Sequence, residues 1–259
     1  QRIYPLTPMQ EGMLLAYITN PDTEAYRMQT AFSMKALPTQ EQLEKVMEVV
    51  AQHYETLRTS IIFHDVQEYR QAILDRKLPV RMVDLSNETK PEVAFLHVME
   101  KDRKSKFDIQ YDALVHLVCA KTSENSCYLS LFMHHIIVDG WCLPLINDAF
   151  LKALHHVILN AEIQPFTVKP GQYENFVREL KSKDFNASLD YWKNLLAGYS
   201  TKAIVPKDKN IPAKERSLKA SHAIEIDGET VKKLQTFCKD ESLTINSILE
   251  FTWGLVLQT

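Results

Sequence analysis

At residues 127–142 the chain reads CYLSLFMHHIIVDGWC, in which an apolar run leads directly into two histidines, an aspartate and a glycine. The run has the length and composition of a buried strand. Residues 143–154 then show the apolar spacing of an amphipathic helix, and Pro144 is tolerated in its first turn because that turn needs no amide donors. We therefore expect a strand, a loop and a helix, with His134 and His135 where the strand ends.

A second apolar run precedes this one in the sequence. Residues 114–120 are joined to the run at 127–133 by the polar segment 122–126, which is short enough for an antiparallel hairpin. Further strand patterns occur at 26–35, 57–63, 68–74, 80–85 and 220–226, and helix patterns include 143–160, 228–240 and 244–259. This mixture predicts an α/β protein built as α+β layers, with a mixed sheet packed against helices.

Capping-box residues mark two helix starts. Thr7 is followed by Pro8 and, three positions on, by Gln10, and Thr39 is followed by Gln42. In such a box the threonine hydroxyl accepts an N–H of the first turn, while the glutamine reaches back to the threonine N–H. We therefore expect helices to begin directly after both threonines.

A third helix, from Pro91, ends in the charged segment 101–106. Basic side chains are favoured at a helix C-terminus by the helix dipole, so we expect a solvated helix end. The alternative for this segment is a basic patch that binds a phosphate group of a partner.

Composition excludes several classes of protein. The formal charge is −3, so the 259-residue chain offers no electrostatic footprint for nucleic acid or an anionic membrane. No apolar run approaches the roughly 20 residues that span a bilayer, and the first residues lack a signal-peptide pattern, so we expect a cytoplasmic protein. The four cysteines have neither zinc-site spacing nor disulfide-scaffold density, and the six glycines are too scattered for a phosphate-binding loop.

The two histidines are compatible with three kinds of chemistry. Metal binding is disfavoured because adjacent strand residues point to opposite faces, so His134 and His135 cannot easily reach one ion together. A covalent acyl-enzyme is disfavoured because no G-x-S-x-G elbow is present. A histidine that acts on a nucleophile supplied by the substrate fits better, since neutral imidazole accepts a proton near neutral pH. Asp139 would then fix the loop and Gly140 would leave room for a carbonyl group. Structural histidines at a strand end are the remaining alternative.

The unit HHIIVDG at 134–140 resembles the HHxxxDG motif of the condensation domains of nonribosomal peptide synthetases. Three further segments resemble motifs of that family in the same order: YPLTPMQEGML at 4–14, HYETLRT at 53–59 and GQYENF at 171–176. HHxxxDG is also shared with the wider chloramphenicol-acetyltransferase-like acyltransferases. Four ordered matches are more specific than one.

The resemblance implies a fold, an activity and partners. The fold is a chloramphenicol-acetyltransferase-like lobe, one of a V-shaped pair with a tunnel between them. Peptidyl carrier proteins present donor and acceptor thioesters on 4′-phosphopantetheine arms, and the acceptor amine attacks the donor thioester to form a peptide bond. No cofactor or metal is bound, and the partners are the donor and acceptor carriers and neighbouring synthetase domains, with neither nucleic acid nor membrane.

The resemblance also implies roles for five residues. His135 is the base or the group that positions the acceptor amine, and His134 orients the loop. Asp139 resembles a structural aspartate that pairs with an arginine, and Arg58 stands where that partner is expected. Gly140 resembles the residue whose backbone lies against the reacting carbonyl.

The same resemblance predicts how the chain is organised. Residues 1–198 are expected to be the N-terminal lobe, 199–219 a connection, and 220–259 the start of a truncated C-terminal lobe whose last helix has lost its covering. The truncated chain is expected to be inactive alone. The opening MQEGML at 9–14 resembles domains that take a donor ending in a D-residue. The alternatives are a fragment that only binds a donor carrier protein and an acyltransferase that uses coenzyme A.

Overall fold

The computed structural model of the chain describes residues 2–20, 24–159, 161–162, 166, 170–200 and 223–258. The chain divides into two compact units, Gln1–Asp184 and Phe185–Thr259. The first unit carries all the strands assigned in the described residues. Its elements are β1 (Arg2–Pro5), α1 (Pro8–Thr19), β2 (Arg27–Met34), α2 (Gln40–His53), a 3-10 helix (Glu55–Arg58), β3 (Thr59–Ile62), β4 (Arg70–Ile73), β5 (Val80–Asp84), α3 (Pro91–Lys104), β6 (Val115–Ser123), β7 (Ser126–His134), α4 (Cys142–Ile158) and α5 (Tyr173–Ser182).

The strands form two sheets. The larger has the order β2-β7-β6-β5, with antiparallel pairs throughout except for the parallel pair β5 and β6. The smaller has the order β1-β4-β3 and is antiparallel. Helices accompany both sheets, so the predicted α/β architecture with a mixed sheet is confirmed.

The predicted hairpin is confirmed as β6 and β7, which pair directly with a bulge between Lys121 and Ser123. Because β7 lies between β2 and β6, both of its edges are hydrogen-bonded. The last residue of β7, His134, is opposite Arg27 of β2. The strand that carries the histidines is therefore an inner strand of the larger sheet.

The main core lies between this sheet and helices α2 and α4. Leu43 and Val46 of α2, Phe150 of α4 and Leu131 and Phe132 of β7 belong to one buried cluster. Full burial of such a side chain stabilises a fold by about 1.5–3 kcal/mol. Strand β7 and helix α4 therefore share one buried core.

Both predicted capping boxes are confirmed. The hydroxyl of Thr7 accepts the N–H of Gln10 at 3.3 Å, and the Gln10 side chain accepts the Thr7 N–H at 3.0 Å. Thr39 and Gln42 exchange the same two bonds at the start of α2, at 3.2 and 2.9 Å.

The prediction of a solvated end for α3 is wrong at one residue. Lys101, Arg103 and Lys104 are exposed, but Asp102 is buried. Its carboxylate accepts a hydrogen bond from Arg81 at 2.5 Å and lies 3.1 Å from Nε2 of His116. Two partners on β5 and β6 therefore turn this carboxylate inward.

The second unit contains three helices in its described residues: α6 (Asn186–Leu195), α7 (Gly228–Asp240) and α8 (Ile245–Gln258). The predicted helices at 228–240 and 244–259 are thus confirmed. The predicted strand at 220–226 is not, since residues 223–226 are not in a strand, and 220–222 lie outside the described residues. Most of the expected connection at 199–219 also lies outside them, and the expected domain limits stay a prediction.

None of the helices in the described part of the chain combines the length and apolar character needed to cross a membrane.

Candidate active site

The backbone at the end of β7 is fixed on both sides. The N–H of His134 donates to the carbonyl of Leu114, just before β6, at 2.9 Å, and the N–H of His135 donates to the carbonyl of Tyr26, just before β2, at 2.7 Å. The chain then turns, because the N–H groups of Ile137 and Val138 donate back to the carbonyls of His134 and His135, each at 3.3 Å. The backbone of His134 is therefore held from the β6 side and that of His135 from the β2 side.

His134 faces the protein interior. Its side chain is buried, and its ring meets Phe107 edge-on with centroids 6.1 Å apart. Nδ1 accepts the N–H of Ile136 at 3.1 Å, which places the ring proton of the neutral form on Nε2. Burial, with smaller electrostatic contributions from Arg27 and His135, lowers the pKa of His134 to about 4. His134 is therefore neutral at neutral pH and fixes the loop through Ile136.

His135 is half-buried and differently held. Its ring meets Tyr26 edge-on, with centroids 6.3 Å apart and an interplanar angle of 81°. Nδ1 is shielded from solvent and has no hydrogen-bond partner within the described ranges of the chain. A buried polar atom without a partner is uncommon in folded proteins and calls for an explanation. No described residue therefore holds the His135 ring through this nitrogen.

Asp139 joins the loop to helix α4. Its Oδ1 accepts the N–H of Cys142 at 2.9 Å, and its carbonyl accepts the same N–H at 3.1 Å. The pKa of Asp139 is lowered, first by its interaction with the Cys142 side chain and further by the backbone N–H groups of Cys142 and Trp141 and by His135. An ionised carboxylate at the N-terminus of a helix is also favoured by the helix dipole.

Arg58 and Asp139 form no ion pair among the described residues, where Arg58 has other partners. Nε of Arg58 donates to the carbonyl of Ala51 at 3.0 Å, and Nη1 donates to the carbonyl of Leu74 at 2.9 Å. Both acceptors are carbonyl groups near element ends, one in the last turn of α2 and one just after β4. The Arg58 guanidinium thus links α2 to the end of β4 by hydrogen bonds, while the Asp139 carboxylate accepts a hydrogen bond at the start of α4.

Gly140 lies beside Asp139 and Trp141 in an exposed segment, and the Trp141 side chain is 88% exposed. A Cβ atom placed on Gly140 would meet nothing within 4 Å, and the residue is not in the left-handed region. No contact among the described residues therefore requires glycine at this position.

Two glutamines of the site are not predicted by the sequence. The Gln10 side chain donates from Nε2 to the carbonyl of Ile136 at 3.0 Å and also to Oε1 of Gln71 at 3.0 Å. The sequence marks Gln10 only as a capping residue. Nothing in the local pattern marks Gln71, because a polar residue in a strand ordinarily indicates the solvent face.

His134, His135, Asp139 and Gly140 thus lie in one loop at the end of β7, while Arg58 donates to carbonyl groups of α2 and of the residue after β4. A histidine pair at the end of an inner strand, followed by a loop and an amphipathic helix within a mixed sheet, agrees with the fold implied by the resemblance to chloramphenicol-acetyltransferase-like acyltransferases.

Within that fold, the chain belongs to the Condensation domain family, whose sequence profile matches residues 1–259. It is 29% identical over 260 residues to bacitracin synthase 1 of Bacillus licheniformis, an alignment that covers 99% of this chain and 5% of that protein. It is also 29% identical over 263 residues to tyrocidine synthase 3 of Brevibacillus parabrevis, with coverages of 100% and 4%. The chain thus spans a small part of the curated relatives it matches.

Solved structures show the same fold. The starter condensation domain of rhizomide synthetase RzmA superposes with a TM-score of 0.69 at 20% identity, over 78% of this chain and 50% of that one. The first condensation domain of the calcium-dependent antibiotic synthetase, in complex with a substrate analogue, gives a TM-score of 0.65 at 18% identity, over 78% and 49% of the two chains. The chain spans about half the length of these neighbours.

Proposed function

We propose that this protein forms peptide bonds in nonribosomal peptide synthesis. The acceptor amine attacks the carbonyl carbon of a donor thioester, so that a C–N bond forms, the C–S bond breaks and the thiol leaves. The single observation that carries the proposal is the placement of His135 directly after β7, where its backbone is fixed and its side chain is half-buried, unlike the buried His134. Membership of the Condensation domain family supports it.

His135 either takes a proton from the acceptor amine or holds that amine by a hydrogen bond while the proton leaves with the thiol. His134 orders the loop from the interior side, where its neutral ring accepts the Ile136 N–H. Asp139 fixes the start of α4. Gly140 leaves open space at the exposed edge of the loop, where the reacting carbonyl approaches.

The proposed substrates arrive as aminoacyl or peptidyl thioesters on the 4′-phosphopantetheine arms of donor and acceptor carrier proteins. The proposed setting is a cytoplasmic synthetase with neighbouring domains. Support comes from the similarity to bacitracin synthase 1 and tyrocidine synthase 3. The opening segment at 9–14 suggests that the donor ends in a D-residue, so we expect faster turnover with a D-configured donor than with its L-isomer.

The test is an amide-formation assay with the complete protein that contains this sequence, with aminoacyl thioesters loaded on both carriers. We expect His135→Ala to lower the rate on the order of 100-fold, as is usual for a positioned acid-base group. His97→Ala is the matched control, because His97 is an exposed histidine on α3. It should retain the parent rate.

Undiminished product from His135→Ala would remove the role proposed for this residue. Carrier binding without amide formation by the unsubstituted protein would replace the proposal with a binding function. Acyl transfer from a coenzyme A thioester, with none from loaded carriers, would replace it with a coenzyme A-dependent acyltransferase.

A further inference from the structure

Two buried glutamine side chains, Gln10 and Gln71, form an amide pair next to residues 134–140, which we call the histidine loop. Nε2 of Gln10 donates to Oε1 of Gln71 at 3.0 Å, and Nε2 of Gln71 donates to Oε1 of Gln10 at 2.8 Å. The residues are 61 positions apart in sequence, on α1 and β4, and only 4% and 1% exposed. Burial of two amides is costly unless their hydrogen bonds are satisfied.

Further hydrogen bonds of the pair reach three backbone groups. Gln10 accepts the N–H of Thr7 at 3.0 Å and donates to the carbonyl of Ile136 at 3.0 Å. Gln71 donates to the carbonyl of Pro5 at 2.9 Å. Both amide protons of each glutamine are therefore donated to hydrogen bonds. The pair links β1, α1 and β4 to Ile136, the residue that follows His135.

The backbone of Ile136 is consequently held at both ends. Its N–H donates to Nδ1 of His134, and its carbonyl accepts from Gln10. These two groups belong to the two peptide planes that follow His135, and a peptide unit is rigid. Holding both planes restricts the torsion angles that direct the His135 ring.

We infer that the Gln10–Gln71 amide pair is a positioning device for His135. The effect of the pair on catalysis rests on the proposed function. Its effect on the orientation of the His135 ring does not depend on that function. A capping role alone does not account for the arrangement. Gln42 has the same capping bond in α2, but its Nε2 donates to the carbonyl of Val157 at 3.4 Å, and among the described residues it forms no hydrogen bond with residues 134–140.

The experiment compares Gln10→Leu with Gln42→Leu in the isotope-labelled 259-residue chain by NMR. The first readout is the amide ¹⁵N shift of Ile137, because this nitrogen shares a peptide plane with the Ile136 carbonyl. The second is the ¹⁵N signal pair of the His135 ring, and the third is amide exchange at 136–138. We expect Gln10→Leu to shift the first two and to accelerate exchange about tenfold, while Gln42→Leu leaves all three as in the parent.

Gln71→Leu is the second variant, since it removes one half of the pair but leaves the bond from Gln10 to Ile136. It should move the same signals in the same direction by a smaller amount. If Gln10→Leu does not fold, the Ile137 and His135 signals of Gln71→Leu test the inference instead. The inference is overturned if the Ile137 and His135 signals coincide with those of the parent in the folded variants. It is also overturned if Gln42→Leu moves them equally.

A rate measurement connects the geometry with the chemistry. In the complete protein we expect Gln10→Leu to lower kcat for amide formation about tenfold, with KM for the loaded carriers unchanged, because small misplacements of a catalytic group reduce turnover rather than binding. A changed KM with an unchanged kcat would contradict positioning. If His135→Ala keeps the parent rate, the role proposed for His135 fails, while the NMR comparison still decides whether the pair orders the loop.

Discussion

At the scale of single residues, two adjacent histidines acquire opposite properties from the alternation of a strand. His134 points inward, where burial keeps it neutral, and His135, directly after β7, is half-buried. The sequence pattern predicts this difference, since neighbouring strand residues face opposite sides. It does not predict which backbone groups hold the rings, because Ile136 lies in a turn that only the complete fold defines.

The low pKa of His134 predicts that stability falls with decreasing pH. The pKa drops from 6.5 to about 4 on folding, so between these values the unfolded chain binds the extra proton. We expect this residue to contribute a loss of about 2 kcal/mol in the free energy of unfolding between pH 7 and pH 5. Urea unfolding at both pH values, with His134→Gln beside the parent, measures it.

The readout for His134 is the difference in pH dependence between the two proteins, because both share every other ionisable group. His97→Gln, at an exposed position of α3, serves as the control and should keep the parent slope. An unchanged slope in His134→Gln would show that the ring is not held in a neutral form.

At the scale of elements, Arg58 fastens the last turn of α2 to the end of β4. Its guanidinium donates to the carbonyls of Ala51 and Leu74. Arg58→Met keeps much of the apolar stem but removes both bonds, so we expect the free energy of unfolding to fall by about 1–3 kcal/mol. Lys152→Met, which removes an exposed ion pair with Asp148 on α4, should change it by no more than about 0.5 kcal/mol.

The same variant tests whether Arg58 pairs with Asp139. Since the guanidinium donates to two carbonyl groups instead, Arg58→Met should leave the pKa of Asp139 unchanged in an NMR titration. A rise of that pKa would indicate an ion pair between the two side chains and would contradict this arrangement.

The elements themselves could be predicted largely from local pattern. The capping boxes at Thr7 and Thr39 and the hairpin of β6 and β7 depend on residues close in sequence, and all three form as expected. The failures involve long-range partners. Asp102 on α3 is turned inward by Arg81 on β5 and His116 on β6, and Gln71 meets Gln10 across 61 positions. Such contacts depend on sheet order, which periodicity does not determine.

At the scale of the whole molecule, the two units differ in how well they bury apolar surface. The first unit has a large core between sheet and helices. The second exposes large apolar side chains on its last helix, of which Phe251 is 68% and Trp253 56% exposed. Large exposed apolar patches in soluble proteins mark interaction sites or aggregation liabilities. The all-round apolar pattern of residues 244–259 predicts this surface from the sequence.

We therefore expect the purified chain to associate through α8 (Ile245–Gln258). Light scattering over a range of protein concentration should show a mass that rises above that of the monomer, because exposed aromatic side chains gain by mutual burial. Phe251→Lys combined with Trp253→Lys should restore a constant monomeric mass. Asn246→Lys combined with Gln258→Lys adds the same charge at two exposed polar positions of the same helix and should leave the association unchanged. If both double variants abolish the association equally, added charge rather than the apolar face controls it. A parent chain that stays monomeric with α8 ordered contradicts the prediction.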